Sequence, residues 1–136
     1  MPEAVVAITG ASGAQYGVRL LDGLLEAGWE VSLIVTNAGA INLDLECGIT
    51  PEELANRDGV RLEDNRNLAA RSASGSARYE ACVVCPASGT TIGKIAAGIS
   101  DNLATRSALV ALKERRKLIL VPVSYTHLTL PTTPYV

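Results

Sequence analysis

The residues best suited to chemistry in this sequence lie between positions 8 and 17. This segment follows a short apolar run and opens a stretch with helical spacing, so we expect it to join a strand to a helix N-terminus. Backbone N–H groups and the positive end of the helix dipole both point at such a turn. Gly10 and Gly13 let a ligand approach the backbone closely, while Ala11 and Ser12 lie between them and Ser12 adds a hydroxyl. The pattern predicts that the turn binds a phosphate.

The spacing of this turn also bears on which phosphate compound it would bind. The dinucleotide fingerprint, G-x-G-x-x-G, needs three glycines and an acidic residue about 20 residues further on. Here Ser12 and Gln15 stand at the second and third glycine positions, and the second predicted strand leads into Thr36 and Asn37 without a carboxylate. A hydroxyl and an amide suit a phosphate or a flavin edge better than an adenosine ribose. The spacing favours a mononucleotide; the alternatives are a dinucleotide or a turn that merely connects strand to helix.

The composition restricts the class of protein. The chain has 136 residues, which is the length of one domain. Hydrophobic residues make up 48% and aromatic residues only 4%, so the core must consist of Ala, Val, Leu and Ile, as in a parallel sheet covered by helices. A net charge of -2 gives no electrostatic case for nucleic acid. Without a long apolar run or a signal pattern, we expect a soluble, cytoplasmic protein with no membrane partner.

Strand and helix patterns alternate along the chain. This order predicts an α/β fold, a doubly wound parallel sheet of the Rossmann or flavodoxin type in three α/β/α layers, with ligands at the carboxyl ends of the strands. Thr36 and a second turn rich in glycine and hydroxyls, residues 86–91, fall at that edge. Residues 56–71 are polar, and we expect them to be irregular. The predicted strands are 4–8, 30–35, 81–85 and 117–121, and the predicted helices are 14–27, 38–47, a short one from Pro51, one ending near 97, and 103–116.

Cys82 and Cys85 have the C-x-x-C spacing of zinc and redox sites. They lie inside a predicted buried strand, however, where residues three apart face opposite sides. The sequence has no second C-x-x-C pair and no histidine at ligand spacing to complete a metal site. We therefore interpret them as core cysteines and expect no metal site.

Four motifs, in order along the chain, resemble the flavin prenyltransferases of the UbiX family. The motifs are residues 10–21, 74–76, 86–91 and 101–116, and the resemblance as a whole covers residues 5–122. The resemblance implies an enzyme that binds FMN and joins a dimethylallyl group from dimethylallyl monophosphate to N5 and C6 of the reduced flavin. The prenylated FMN would serve UbiD-type decarboxylases, as in ubiquinone biosynthesis or aromatic acid decarboxylation. It further implies metal-independent catalysis and a homo-oligomer whose active sites lie where subunits meet.

The same resemblance assigns roles to individual residues. Cationic groups stabilise a departing allylic phosphate, a role open to Arg106 and Lys113. Ser12 would donate a hydrogen bond, and Glu46 is suited to orient or deprotonate a group near the flavin. Outside the family context, Lys113 would be a solvated helix end, and Arg106 and Glu46 surface residues. The resemblance thus gives Ser12, Glu46, Arg106 and Lys113 as catalytic residues, and as FMN-binding residues Gly10, Ala11, Ser12, Thr36, Ser88, Gly89, Thr90 and Thr91.

The chain departs from the family after Pro122, where the family has Arg-Glu and this sequence has Val123 and Ser124. Residues 123–136 lack a helical period and resemble translated sequencing adapter. We therefore expect 1–122 to be an incomplete FMN-binding domain that lacks the C-terminal part of its sheet, 123–136 to be a non-native tail, and activity to be impaired. His127 lies in that tail, so it is not a candidate base.

Two other functions remain open. One is that of an FMN-dependent cysteine-peptide decarboxylase-like flavoprotein, but such enzymes rely on an early histidine, and no histidine precedes His127 in this chain. The other is a non-catalytic nucleotide-binding module.

Overall fold

A five-stranded sheet in which all strands are parallel forms the centre of the molecule. The computed structural model describes residues 1–123, and the strand order is β3-β2-β1-β4-β5. The strands are β1 (Glu3–Ile8), β2 (Glu30–Val35), β3 (Val60–Glu63), β4 (Ala81–Ala87) and β5 (Lys117–Pro122). The helices are α1 (Ala14–Glu26), α2 (Asn37–Asn42), α3 (Pro51–Ala55), α4 (Gly89–Ala97) and α5 (Leu103–Lys113), with a π-helical segment at Leu43–Cys47 and a 3-10 turn at Arg71–Ala73.

The strand order places a topological switch between β1 and β4. From β1 the chain winds outward through β2 to β3, then returns to the other side of β1 and continues through β4 to β5. In sheets of this kind ligands bind in the crevice at the carboxyl ends of the strands where the winding reverses. The structure confirms the predicted doubly wound α/β fold and locates this crevice at the ends of β1 and β4.

Aliphatic side chains fill both faces of the sheet. On one face, Val6, Ile8 and Leu33 pack with Leu21 of α1. On the other face, residues of β1 and β4 pack with α4 and α5, and Cys82 is among them. As expected, the core consists mostly of Ala, Val, Leu and Ile, but the aromatic ring of Tyr79, which is 3% exposed, also packs in it.

Both cysteines of the C-x-x-C pair are buried in β4, Cys82 fully and Cys85 almost fully. Burial raises the pKa of the Cys82 thiol to about 12 and also raises the pKa of Cys85. Both thiols are therefore protonated at neutral pH, which confirms their interpretation as core residues.

The expectation that residues 56–71 are irregular was wrong, because β3 (Val60–Glu63) lies within them. Its two apolar residues, Val60 and Leu62, pack on the α1 side of the sheet. Glu63 is 7% exposed and accepts a hydrogen bond from the backbone N–H of Ser72, 3.1 Å away. The alternation of apolar and charged residues in this segment is typical of a half-buried strand but covers only four residues, and the segment becomes a strand by pairing with β2.

The predicted short helix from Pro51 is present as α3. Thr50 caps α3 and forms a capping box with Glu53, with Pro51 at the first helical position. Helix α5 ends at Lys113 rather than at the predicted residue 116, and Arg115 has a φ of 58° just beyond it. Within residues 1–123, none of the helices is long and apolar enough to cross a membrane. Apart from Val123, the predicted non-native tail lies outside the described residues.

Two glycines of α1 provide a matched test of the packing against β4. A Cβ built on Gly17 would lie 2.6 Å from the carbonyl oxygen of Cys85, whereas one on Gly23 would meet nothing within 4 Å. We expect Gly17→Ala to lower the free energy of unfolding by about 1–3 kcal/mol through overpacking. Gly23→Ala should raise it by about 0.5–1 kcal/mol because alanine favours the helix. Urea unfolding followed by circular dichroism measures both, and equal effects would contradict the close approach of α1 to β4.

Candidate functional site at the carboxyl ends of the strands

The turns after β1 and β4 are joined by the buried side chain of Thr9. Thr9 is 1% exposed, and its Oγ1 donates to the carbonyl oxygen of Pro86 at 2.7 Å. Oγ1 of Thr9 also accepts a hydrogen bond from the backbone N–H of Ser88 at 2.9 Å. The backbone N–H of Thr9 also donates to the Pro86 carbonyl, at 3.2 Å. The two turns predicted to bind a ligand are therefore direct neighbours.

Thr36, at the end of β2, joins the same edge. Its N–H donates to the carbonyl oxygen of Ile8 at 3.0 Å, and its Oγ1 accepts from Gly39 N–H at 3.0 Å to cap α2. Helix α2 lies so close that a Cβ on Gly10 would stand 2.3 Å from Cβ of Ala38. The missing side chain of Gly10 therefore makes room for α2, in addition to any ligand.

The N-terminus of α1 holds an anion that the chain supplies itself. Oε1 of Glu46 accepts from the backbone N–H groups of Ala14 at 2.9 Å and Gly13 at 3.0 Å. These two bonds, with a smaller contribution from the Ser12 hydroxyl, hold the pKa of Glu46 below its usual value. The turn predicted to bind a phosphate therefore binds a carboxylate of the chain itself in this structure.

The N-terminus of α4 is different, because its first amides are free. Oγ of Ser88 accepts from Thr91 N–H at 3.1 Å and donates to Oγ1 of Thr91 at 2.9 Å, which caps the helix. Among residues 1–123, the N–H groups of Gly89 and Thr90 have no hydrogen-bond acceptor. Free amides at the positive end of a helix form an anion-binding arrangement. Of the two turns, the one before α4 can therefore accept a phosphate without displacing a side chain.

A cavity of about 400 Å³ opens beside Thr36 at the ends of β2 and β3. Its rim combines the hydroxyl of Thr36 and the amides of Asn37 and Asn65 with the charges of Asp64 and Arg66. The carboxyl edge of the sheet thus has polar space on the β2 side of the switch point as well.

Arg106 and Lys113 lie elsewhere. Both are exposed on α5, where they line a surface groove of about 190 Å³ together with Ser100 and Leu109. Within the described part of the chain, no hydrogen bond or ion pair connects either cation to Ser12 or Ser88; the Nζ of Lys113 lies 3.6 Å from a carboxylate oxygen of its neighbour Glu114. The structure therefore brings the predicted flavin-binding residues together with Ser12 and Glu46. It does not bring Arg106 and Lys113 to the same place.

Sequence reasoning gave no role to Thr9, Asn42 or Val123. Asn42 donates from Nδ2 to the carbonyl oxygen of Ala11 at 3.1 Å and so fixes the first turn from α2. A Cβ built on Gly13 would lie 3.2 Å from Cγ2 of Val123, so the position where the family has arginine is adjacent to this turn. The one local signal for Thr9 was a hydroxyl residue between a buried strand and a glycine turn.

Comparison with known proteins places these features in a family. The sequence pattern of the family described as Flavoprotein matches residues 2–130. The flavin prenyltransferase UbiX of Thermoplasma acidophilum is 43% identical over 118 residues, covering 87% of this chain and 64% of that protein. The crystal structure of AnUbiX in complex with FMN and dimethylallyl pyrophosphate matches with a TM-score of 0.88 and 33% identity, covering 95% of this chain and 68% of that one. This chain belongs to the UbiX flavin prenyltransferase family.

A further structural neighbour in this family is an oligomer. The dodecameric FMN-dependent UbiX-like decarboxylase from Escherichia coli O157:H7 has a TM-score of 0.87 and 35% identity, covering 94% of this chain and 69% of that one. This UbiX-family chain spans slightly less than two thirds of the length of curated relatives such as the Thermoplasma protein, of which it covers 64%.

Glu46 should make the stability of this UbiX-family chain depend on pH. Because its pKa is lower in the folded state, its contribution to stability is fully present above the unfolded value of 4.5 and is lost as pH falls through the folded pKa. We expect Glu46→Gln to lower the free energy of unfolding at pH 7, with the difference from wild type narrowing in acid. Urea unfolding at a series of pH values measures it.

The control for this experiment is Glu26→Gln, at the opposite end of α1, where no hydrogen bond to a helix N-terminus exists. A difference between wild type and Glu46→Gln that stays constant from neutral to acid pH would contradict the assigned ionised carboxylate.

Proposed function

We propose that this chain provides the FMN site of a flavin prenyltransferase. The reaction would join a dimethylallyl group from dimethylallyl monophosphate to N5 and C6 of reduced FMN, and the prenylated FMN would pass to a UbiD-type decarboxylase. The observation that supports this best is the free N-terminus of α4 beside the β1–β4 switch point. The fold similarity to AnUbiX, with a TM-score of 0.88, supports the same proposal, because that protein was crystallised with FMN and dimethylallyl pyrophosphate.

The residues at the switch point fit the phosphate of FMN. The amides of Gly89 and Thr90 would donate to its oxygens, with the α4 dipole favouring the negative charge. The hydroxyl of Thr91 lies at the same helix end, held by Ser88 at 2.9 Å. Thr36 and the backbone of residues 10–12 would contact the rest of the flavin. FMN would supply the nucleophilic ring atoms, in its reduced form, and the protein would orient them.

Ser12 and Glu46 would define the wall of the site next to α1. Glu46 is ionised at neutral pH and bound to two backbone amides, so it fixes the turn that carries Ser12. In this position its first role is orientation, and the Ser12 hydroxyl would turn from Glu46 to donate its one hydrogen to the prenyl phosphate. A carboxylate with a lowered pKa is a weak base, so proton removal by Glu46 would require these amide bonds to loosen.

Arg106 and Lys113 would complete the site of a neighbouring copy. Loss of phosphate from an allylic carbon builds negative charge on the leaving group, which a guanidinium and an ammonium stabilise without a metal ion. Both side chains are exposed on α5, and within residues 1–123 no hydrogen bond or ion pair joins either of them to Ser12 or Ser88. A homo-oligomer in which α5 of one copy faces the crevice of another would bring all the predicted groups together.

We expect slow turnover from the chain with this sequence. The family has Arg-Glu where this chain has Val123 and Ser124, and Val123 adds no charge beside Gly13. We therefore place the end of the flavin-binding part of the chain at residue 122, so that residues 1–122 form this part.

FMN binding is the first test of this proposal. We expect the fluorescence of FMN to be quenched when it binds to the purified protein, and the quenching to saturate as protein is added. Ser88→Ala should weaken FMN binding about tenfold because it removes the α4 cap and a hydroxyl. Ser76→Ala, in an exposed loop, is the control.

Turnover is the second test. The protein is incubated with reduced FMN and either dimethylallyl monophosphate or dimethylallyl pyrophosphate, and prenylated flavin is measured by mass spectrometry. Binding without product from either donor would favour a nucleotide-binding module, and no FMN binding would refute the proposal.

The shared site is tested by removing the cations. We expect Arg106→Ala and Lys113→Ala to weaken binding of dimethylallyl monophosphate to the FMN-loaded protein by about tenfold each, while FMN affinity stays unchanged. Arg115→Ala, a neighbouring exposed cation, should change neither. Isothermal titration calorimetry measures both affinities.

Mixed oligomers test whether the site is built from two copies. When Arg106→Ala and Ser12→Ala chains are refolded together, some sites should combine an intact Ser12 from one copy with an intact Arg106 from another and bind dimethylallyl monophosphate with wild-type affinity. No recovery of that affinity would contradict a site built from two copies.

A further inference from the structure

The end of the β1–β4 pairing contains a feature that the proposed function leaves unused. The register of the two strands runs from Ala4 opposite Ala81 to Ala7 opposite Val84. Beyond it stands Pro86, which has no N–H and so cannot donate to β1. The backbone N–H of Thr9 still donates to the Pro86 carbonyl at 3.2 Å, and the Thr9 side chain adds two bonds, donating to the same carbonyl at 2.7 Å and accepting from Ser88 N–H at 2.9 Å. The hydroxyl thus extends the contact between the two strands to the first residue after β4.

Both hydrogen bonds of Thr9 are well placed to persist. The residue is 1% exposed, so water has little access to compete for its hydroxyl. One donor and one acceptor contact use the hydroxyl's hydrogen and one of its lone pairs. Since β1 is fully buried up to Ile8, the position of Oγ1 is set by the core of the sheet.

The amide that Thr9 holds belongs to the residue that begins α4. Ser88 is the N-cap, and its side chain is already committed to Thr91 at 3.1 Å and 2.9 Å. With its N–H bound to Thr9, Ser88 is fixed on both its backbone and side-chain polar groups. The next two amides, of Gly89 and Thr90, have no hydrogen-bond acceptor within residues 1–123. Their direction is therefore determined by how Ser88 is held.

We propose that Thr9 is a positioning residue that aims the free amides of α4 at the phosphate of the flavin. This inference rests on the proposed FMN site. Thr9 itself does not touch the ligand; it acts through Ser88. Without its hydroxyl, the Ser88 amide would lose its partner, although the Thr9 N–H would still bind the Pro86 carbonyl, and the amides of α4 would have to be oriented at the expense of binding affinity.

Two substitutions separate this role from a purely structural one. Thr9→Val keeps the shape and removes the hydroxyl, whereas Thr9→Ser keeps the hydroxyl and removes a methyl group. We expect the FMN dissociation constant, from fluorescence quenching, to rise about tenfold in Thr9→Val and to remain near wild type in Thr9→Ser. Both variants should be somewhat less stable in urea. Unchanged affinity in Thr9→Val, or equal losses in both variants, would refute the positioning role.

Amide hydrogen exchange followed by NMR tests the same inference in the wild-type protein. We expect the Ser88 amide to be protected without ligand, and the amides of Gly89 and Thr90 to become protected only when FMN is added. A rapidly exchanging Ser88 amide would refute the Thr9 contact. A protected Ser88 with no response of Gly89 and Thr90 to bound FMN would refute its consequence for binding. Wild-type protein that binds no FMN at all would instead refute the proposed function, and this inference with it.

Discussion

The parallel pairing of β1 with β4 is the interaction on which the candidate site depends. It is the point where the winding of the sheet reverses, and it places the turn after one strand against the turn after the other. A shift of the register by one residue would move every side chain of β1 to the opposite face. The Thr9 hydroxyl would then no longer meet the Ser88 amide, so the core of the sheet and the geometry of the site are specified by the same register.

Much of this fold could be predicted because its signals are local. Apolar runs mark β1, β2 and β4, and the Thr50 cap of α3 is visible in four consecutive residues. Strand β3 was missed because its alternation of apolar and charged residues is only four residues long, and because Glu63 is buried through a contact with Ser72, nine residues away. A buried carboxylate looks like a surface residue in a sequence when its partner lies on another element.

The same distinction between local and distant contacts explains which parts of the site could be predicted. The α4 cap lies within residues 88–91, so its pattern is readable directly. The contact between Glu46 and the amides of Gly13 and Ala14 joins residues 33 and 32 positions apart, and no spacing rule announces it. Two glycine turns that look alike in sequence therefore differ in the structure: one is closed by the chain's own carboxylate, and the other is left with free amides.

Helix α5 shows why one chain does not hold all the proposed groups. Its buried face, which includes Leu103, Ala104, Ala108 and Ala111, must pack against the sheet for the fold to form. Arg106 and Lys113 are seven residues apart, so they share a side of the helix, and both are exposed there. Turning them inward would bury two charges at a cost that the core cannot compensate. Amphipathic packing thus fixes these cations on the outside of α5, where the proposed function uses them in the site of another copy.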